Sequence, residues 1–300
     1  MKINILIMKK IFILFLCLIS VMAFSQKVVL LRPAVGASKV MLFKPTGGAK
    51  KIMMFEGVTP SAGYVRPADW LTMPILTQGS EQWSGLHPIY DSPDGHTFVA
   101  ISATGDYTVD WGDGSAPEDF LSGVKAEHTF DYADFSAQTP CTRGYKQTIV
   151  TVTPQVAGAL ETINCVEINS NFSSTSDGET QWLDITVAGS NITYCKASDG
   201  GDEYIWLGKL EKWTFTGTNL IADYYSMFDY CSALQSVTLG DMSAGTSFSR
   251  MFNSCSALQS VTLGDMSAGT DFSRMFYYCY ALQSVTLGDM SAGTSFISMF

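Results

Sequence analysis

The sequence predicts a mainly β protein in which a small β-sandwich leads into a solenoid of parallel strands joined by short helical turns. Three observations carry that reading. A 24-residue unit recurs in near-identical copies that begin at Met227, Met251 and Met275. Upstream, Tyr107, Val109 and Trp111 alternate with polar residues before the Gly112-Asp113-Gly114 turn, and Thr148 to Thr153 is β-branched throughout, both patterns of half-buried strands. Nearer the start, three apolar runs twelve residues apart are broken by proline and glycine, which marks further short strands.

In chain order, the first element is an export leader. Lys9 and Lys10 precede the apolar run Ile11 to Ile19, and the small residues Ala23 and Ser25 sit where signal peptidase reads. Cleavage is expected before Gln26, leaving residues 1–25 as a signal peptide. The run is shorter than the roughly 20 residues a membrane span needs. Cys17 follows Leu16 inside the run rather than a small residue, so lipidation is not expected. The mature chain is therefore expected to be secreted or held on the outer cell surface. Six of the seven cysteines remain in it, but their spacing is not that of a compact disulfide-stapled domain.

Residues 26–63 read as a basic leader of short strands. Lys27 to Leu31, Lys39 to Phe43 and Lys51 to Phe55 are the three runs, and strands so short must join the sandwich or mediate assembly. Residues 27–56 hold six basic side chains against Glu56, a balance of +5, whereas residues 57–300 hold nine basic and 27 acidic ones, a balance of −18. An acidic body repels a phosphate backbone, so nucleic acid is excluded as a partner class.

Residues 64–156 form the expected sandwich. The segment Tyr107 to Ser115, then His128-Thr129-Phe130, then Thr148 to Thr153 resembles the polycystic-kidney-disease (PKD) type of immunoglobulin-like domain, with residues 133–146, including Cys141, as an insertion. That resemblance implies an immunoglobulin-like β-sandwich. Asp110 and Asp113 could be read as catalytic carboxylates or calcium ligands, but Asp110 ends a strand and Asp113 serves the turn. The histidines are His87, His96 and His128, and none has zinc-ligand spacing with a cysteine or another histidine. No nucleophile elbow and no glycine-rich phosphate loop occur. The chain is therefore expected to be non-catalytic, with no cofactor and no metal.

Residues 157–300 form the expected solenoid. Leu234, Val237 and Leu239 have the spacing that turns a leading leucine and two strand positions into a shared interior. Gly240 and Asp241 then turn the chain. Phe248, Met251 and Phe252 supply the opposite wall, on a helical turn ending near Cys255. Fainter copies at Leu210-Trp213-Phe215, Trp182 to Val187 and Leu160 to Cys165 start the coiling near residue 160. Stacked coils bury what one coil cannot, with strands about 4.8 Å apart. The Met-Phe pair, the Cys-Ser-Ala-Leu run and the following strand resemble the leucine-rich repeats of BspA-like bacterial surface proteins, over about residues 203–300. The resemblance implies a leucine-rich-repeat-type solenoid that attaches to host or matrix components. Gly240-Asp241-Met242-Ser243 replaces the longer polar turn of many relatives.

Columns of residues follow from the period. Cys231, Cys255 and Cys279 stack as buried thiols, and Asp241, Asp265 and Asp289 stack in the turns, where calcium is the alternative to plain turn chemistry. The copies differ mainly at Asp229-Tyr230, Asn253-Ser254 and Tyr277-Tyr278 and at Ser232, Ser256 and Tyr280, positions read as exposed. Tyr230, Tyr277, Tyr278 and Tyr280 are therefore the candidate binding residues, because exposed tyrosines suit glycan stacking or protein anchoring; drift between duplicated copies is the plain alternative. The expected partner is a host or matrix protein or an extracellular glycan. The chain stops at Phe300 within a fourth copy, so the solenoid reads as C-terminally truncated, and self-association through its uncapped last coil is expected. The functional expectation is a bacterial adhesin-type binding protein; the alternative is a binding or spacer region of a larger secreted hydrolase.

Overall fold

Sixteen short strands and one turn of 3₁₀ helix make up the regular structure of the computed structural model, which describes residues 28–30, 39–42, 53–54, 63–91, 97–171, 181–198, 206–217 and 219–300. The expected signal peptide, Cys17 and His96 lie outside the described residues. Two compact units divide the chain at Met1–Val58 and Thr59–Phe300.

In the first unit the twelve-residue runs pair with one another. Strands β1 (Val28–Leu30), β2 (Lys39–Leu42) and β3 (Met53–Met54) form an antiparallel sheet in that order, with Val29 opposite Met41 and Val40 opposite Met53.

The second unit begins with β4 (Gln82–Ile89), β5 (Phe98–Thr104), β6 (Tyr107–Asp110), β7 (Glu118–Phe120), β8 (Ala126–Thr129) and β9 (Lys146–Pro154). It continues through β10 (Thr162–Asn164), β11 (Asp184–Gly189), β12 (Tyr194–Lys196), β13 (Lys212–Gly217), β14 (Ser236–Thr238), β15 (Ser260–Thr262) and β16 (Ser284–Thr286). Seven strands lie in the order β14-β13-β11-β4-β9-β6-β7 and four in the order β12-β10-β5-β8. The two sheets meet through Trp111, which stacks on His128 at 4.8 Å, and His87, whose ring lies 5.5 Å from Phe130. β4 is central and buried along nearly its whole length. Its Pro88 is tolerated because pairing with β11 ends at Leu86, so a missing N–H there breaks no ladder on that side.

A division was expected between residues 156 and 157, yet the sheets cross it. β10 pairs antiparallel with β5, and β11 pairs antiparallel with β4 over Asp184 to Ala188. The first coils therefore extend both sheets of the preceding body, with β10–β12 and β11–β13–β14 running parallel as the ladder begins. Trp83 and Trp182 meet edge to face at 4.8 Å across this seam, and a Cβ on Gly85 would lie 2.4 Å from Trp83 and 2.6 Å from Trp182. Only glycine lets the two indoles close over the backbone.

From residue 220 the chain is a β-solenoid of about four turns. Leu234, Leu258 and Leu282 are buried, as are Val261 and Val285, while Val237 is half-buried. Parallel pairing joins β15 to β16, and isolated parallel bridges join Asp223, Ser247, Asp271 and Ser295 rung by rung on the opposite wall. Two phenylalanine columns fill the interior. Tyr224, Phe248, Phe272 and Phe296 stack at 5.0, 5.2 and 5.3 Å, and Phe228, Phe252, Phe276 and Phe300 at 5.3, 5.4 and 5.2 Å.

The expected helical turn is absent, and the reason is where the backbone bonds go. Phe252 N–H donates to the Met275 carbonyl and Phe228 N–H to that of Met251, each in the next coil. Consecutive tight turns alternate with these bonds, and Ser226, Tyr230, Arg250, Ser254, Arg274 and Tyr278 adopt φ between 53° and 61° to allow it. A helix would need the same N–H groups for bonds within its own segment.

Candidate binding edge of the solenoid

The turns that carry the left-handed residues also carry the candidate tyrosines. Tyr230, Ser254 and Tyr278 occupy one column, locked rung to rung because Tyr230 N–H donates to the Asn253 carbonyl and Ser254 N–H to that of Tyr277. Position 230 points outward with 44% exposure, Tyr278 with 48% and Tyr280 with 69%. Tyr277 is half-buried and donates its hydroxyl to that of Tyr278 at 3.0 Å, their ring centres 3.9 Å apart. Tyr278 and Tyr280 lie 5.7 Å apart. The structure thus gathers Tyr277, Tyr278 and Tyr280 into one cluster, with Tyr230 two rungs away, about 10 Å at the usual strand spacing.

Sequence reasoning missed a fifth ring. Trp206, half-buried, lies 5.2 Å from Tyr230 and prolongs the row toward the start of the solenoid. It lies 24 residues before Tyr230 and so in the same column, but the first, fainter copy was recognised only from Leu210, Trp213 and Phe215, and the column was not followed back to it. The positions between the rings are Ser232, Ser254 and Ser256, which leaves these two columns hydroxylated and uncharged.

One expectation about these positions is corrected. Asp229 and Asn253 were read as exposed, yet Asp229 is 3% exposed and Asn253 is also buried. Asn253 Nδ2 donates to Asp229 Oδ1 at 2.6 Å and Ser226 Oγ lies 3.3 Å from Asp229 Oδ2. Polar residue types varied along this column because they bond one another rather than water.

The remaining sequence candidates have structural work. Asp110 accepts from Gly112 N–H, and Asp113 accepts from Ser115 N–H and holds His128 at 2.7 Å, as the turn reading expects. Burial works against ionising Asp113, but the Ser115 bonds and the facing imidazole outweigh it and keep the carboxyl below its ordinary range. Cys231 and Cys255 are buried and Cys279 half-buried; their thiols donate to the carbonyls of Ala197, Phe228 and Phe252 in the preceding coil. Cys141, Cys165 and Cys195 are likewise free thiols. Asp241, Asp265 and Asp289 each accept from a serine N–H two residues on, at 2.9 Å. Among the described residues no group of three or more histidine, cysteine or acidic side chains is placed to hold a metal ion.

A second charged cluster joins the body to the first coils. Arg66 holds Asp184 of β11 at 2.7 Å, Arg143 holds Glu211 beside β13, and both guanidinium groups flank Trp70 at 5.3 and 5.1 Å. Burial pushes Asp184 above the usual carboxylate range despite Arg66. The cluster ties the segments around residues 66–71 and 141–145 to the solenoid. No described helix is long and apolar enough to cross a membrane.

The chain matches no protein-family model, and neither a curated protein nor a solved structure is significantly similar to it.

Proposed function

We propose that this chain is an exported bacterial binding protein of the adhesin type, without catalysis, built from a PKD-type immunoglobulin-like sandwich followed by a BspA-like leucine-rich-repeat solenoid. The observation that supports the reading most is the aromatic edge. Nearly every other large side chain of the repeat is spent on the interior, whereas Tyr230, Tyr278 and Tyr280 stand exposed on turns that the ladder fixes. Rigid exposed tyrosines offer large contact area with little entropy left to lose, which is what a binding surface needs and a core does not. The leader sequence supplies the route outward, and the partner is a host or matrix protein or an extracellular glycan.

The test is made on the full chain expressed with its own leader in a bacterial host. The mature protein is expected to begin at Gln26, to be accessible to protease on intact cells or in the medium, and to be captured by immobilised matrix protein or glycan. An unprocessed chain retained in the cytoplasm would overturn the reading.

A further inference from the structure

The row of rings has a chemistry of its own, and it narrows the ligand class. We infer that the edge formed by Trp206, Tyr230, Tyr278 and Tyr280 binds a neutral linear glycan laid along the solenoid axis; this rests on the reading of the chain as a binding protein. Three features lead there. Trp206, Tyr230 and Tyr278 stand in one 24-residue column along the axis, Trp206 adjoining Tyr230 at 5.2 Å and the Ser254 rung separating Tyr230 from Tyr278, while Tyr280 widens the far end, 5.7 Å from Tyr278 on the same coil. A protein partner is bound through hot residues clustered at the centre of a broad patch ringed by further contacts, whereas a polymer chain is met by a file of platforms. The two pairs are separated by two rungs, about 10 Å, the reach of about two linked pyranose rings.

The second feature is the gap. Ser254 and Ser256, both half-buried rather than exposed as read from the sequence, fill the rung between the pairs. Since the Ser256 hydroxyl donates to the Ser232 carbonyl, a sugar resting on Tyr230 and another on Tyr278 would span a floor of small hydroxyl oxygens able to accept. The third is charge. Positions 230, 254 and 278 and positions 232, 256 and 280 carry no ionisable acid or base apart from tyrosine, on a body whose balance over residues 57–300 is −18. An anionic polymer is repelled by that body, and the ring-bearing columns themselves offer it no cation. What remains is a ligand whose faces are C–H and whose edges are hydroxyl.

The repeat itself supplies substitutions that keep the fold. Ser254 holds the same left-handed backbone, φ 61°, as Tyr230 at 60° and Tyr278 at 61°, so Tyr230→Ser and Tyr278→Ser reproduce a side chain the coil already accommodates. The converse, Ser254→Tyr, completes the row. The experiment is affinity electrophoresis of the full chain in native gels containing β-1,4-glucan, xylan, mannan or, as charged controls, polygalacturonate and hyaluronan. At least one neutral glycan is expected to retard the protein more than either anionic one. The double variant Tyr230→Ser/Tyr278→Ser should weaken that retardation about tenfold or more, and Ser254→Tyr should strengthen it. Strengthening cannot arise from damage to the fold. Retardation by the anionic polymers alone, or retardation by a neutral glycan that the double variant leaves unchanged, would overturn the inference. Capture by matrix protein without retardation by any neutral glycan would overturn it while leaving the adhesin reading in place; failure of both would remove both.

Discussion

At position 229 the repeat carries a carboxylate that is almost wholly buried, held by Ser226 and by Asn253 of the next coil. Burial raises its pKa above the ordinary 3.8, against the Asn253 bond and the nearby Arg250. The native state then binds more protons than the unfolded chain, so the stabilisation is complete below 3.8 and is lost as pH rises through the raised value. Asp184 shifts in the same direction, chiefly through burial. Asp229→Asn removes its part of this dependence and offers an amide hydrogen to Asn253 Oδ1, which is buried without a partner. Urea titration at pH 7 should find the variant about 1 kcal/mol more stable than the parent, with the gain shrinking near pH 4; a loss at pH 7 would contradict this account. Gly269 makes a second case. A Cβ there would lie 2.6 Å from both Phe248 and Phe272, rings held in a stack that cannot part. Gly269→Ala should cost about 1–3 kcal/mol in the same titration, and a neutral result would mean the column is looser than described. The period placed the phenylalanines correctly in register. It misjudged Asp229, because polarity alone cannot reveal that two polar residues 24 apart bond each other in the interior.

Each coil is an element that depends on its neighbours. Phe252 lies between Phe228 and Phe276 at 5.3 and 5.4 Å, with ring planes tilted by only 7° and 4°. Its truncation, Phe252→Ala, opens a cavity in the middle of a column and should cost about 3–5 kcal/mol by chemical denaturation. A cost below about 1 kcal/mol would show that the stack adds little. The strands and the leucine positions were legible because apolar spacing reports them directly. The opposite wall was not: Met251-Phe252 is compatible with a helical turn when read locally, and only the adjacent coil, as acceptor for Phe248, Arg250 and Phe252 N–H, decides against it. Left-handed φ at Arg250 and Ser254 carries no glycine to announce it. The twelve-residue runs were legible as strands, yet their pairing with one another follows from the register of three segments together.

At the scale of the molecule, the sequence suggests a sandwich and a separate solenoid, whereas β10 and β11 continue the sheets of β5 and β4 across the expected boundary. Antiparallel pairing between distant strands leaves no local trace in composition, so that seam could not be read in advance. It predicts that residues 59–300 unfold as one unit. Tryptophan fluorescence, which reports Trp83, Trp182 and Trp213 at the seam, and far-ultraviolet dichroism, which reports all strands, should give coincident transitions in the full chain. Separated transitions would mean the coils melt as an independent array. That continuity gives the aromatic edge its rigidity, and the edge is where binding is proposed. Hydroxyl-radical footprinting of the full chain, with and without the neutral glycan that retards it most, tests this claim most directly. Protection is predicted at Trp206, Tyr230, Tyr278 and Tyr280; protection confined to the strand face around Thr238, Thr262 and Thr286, or absent from the tyrosines, would contradict it.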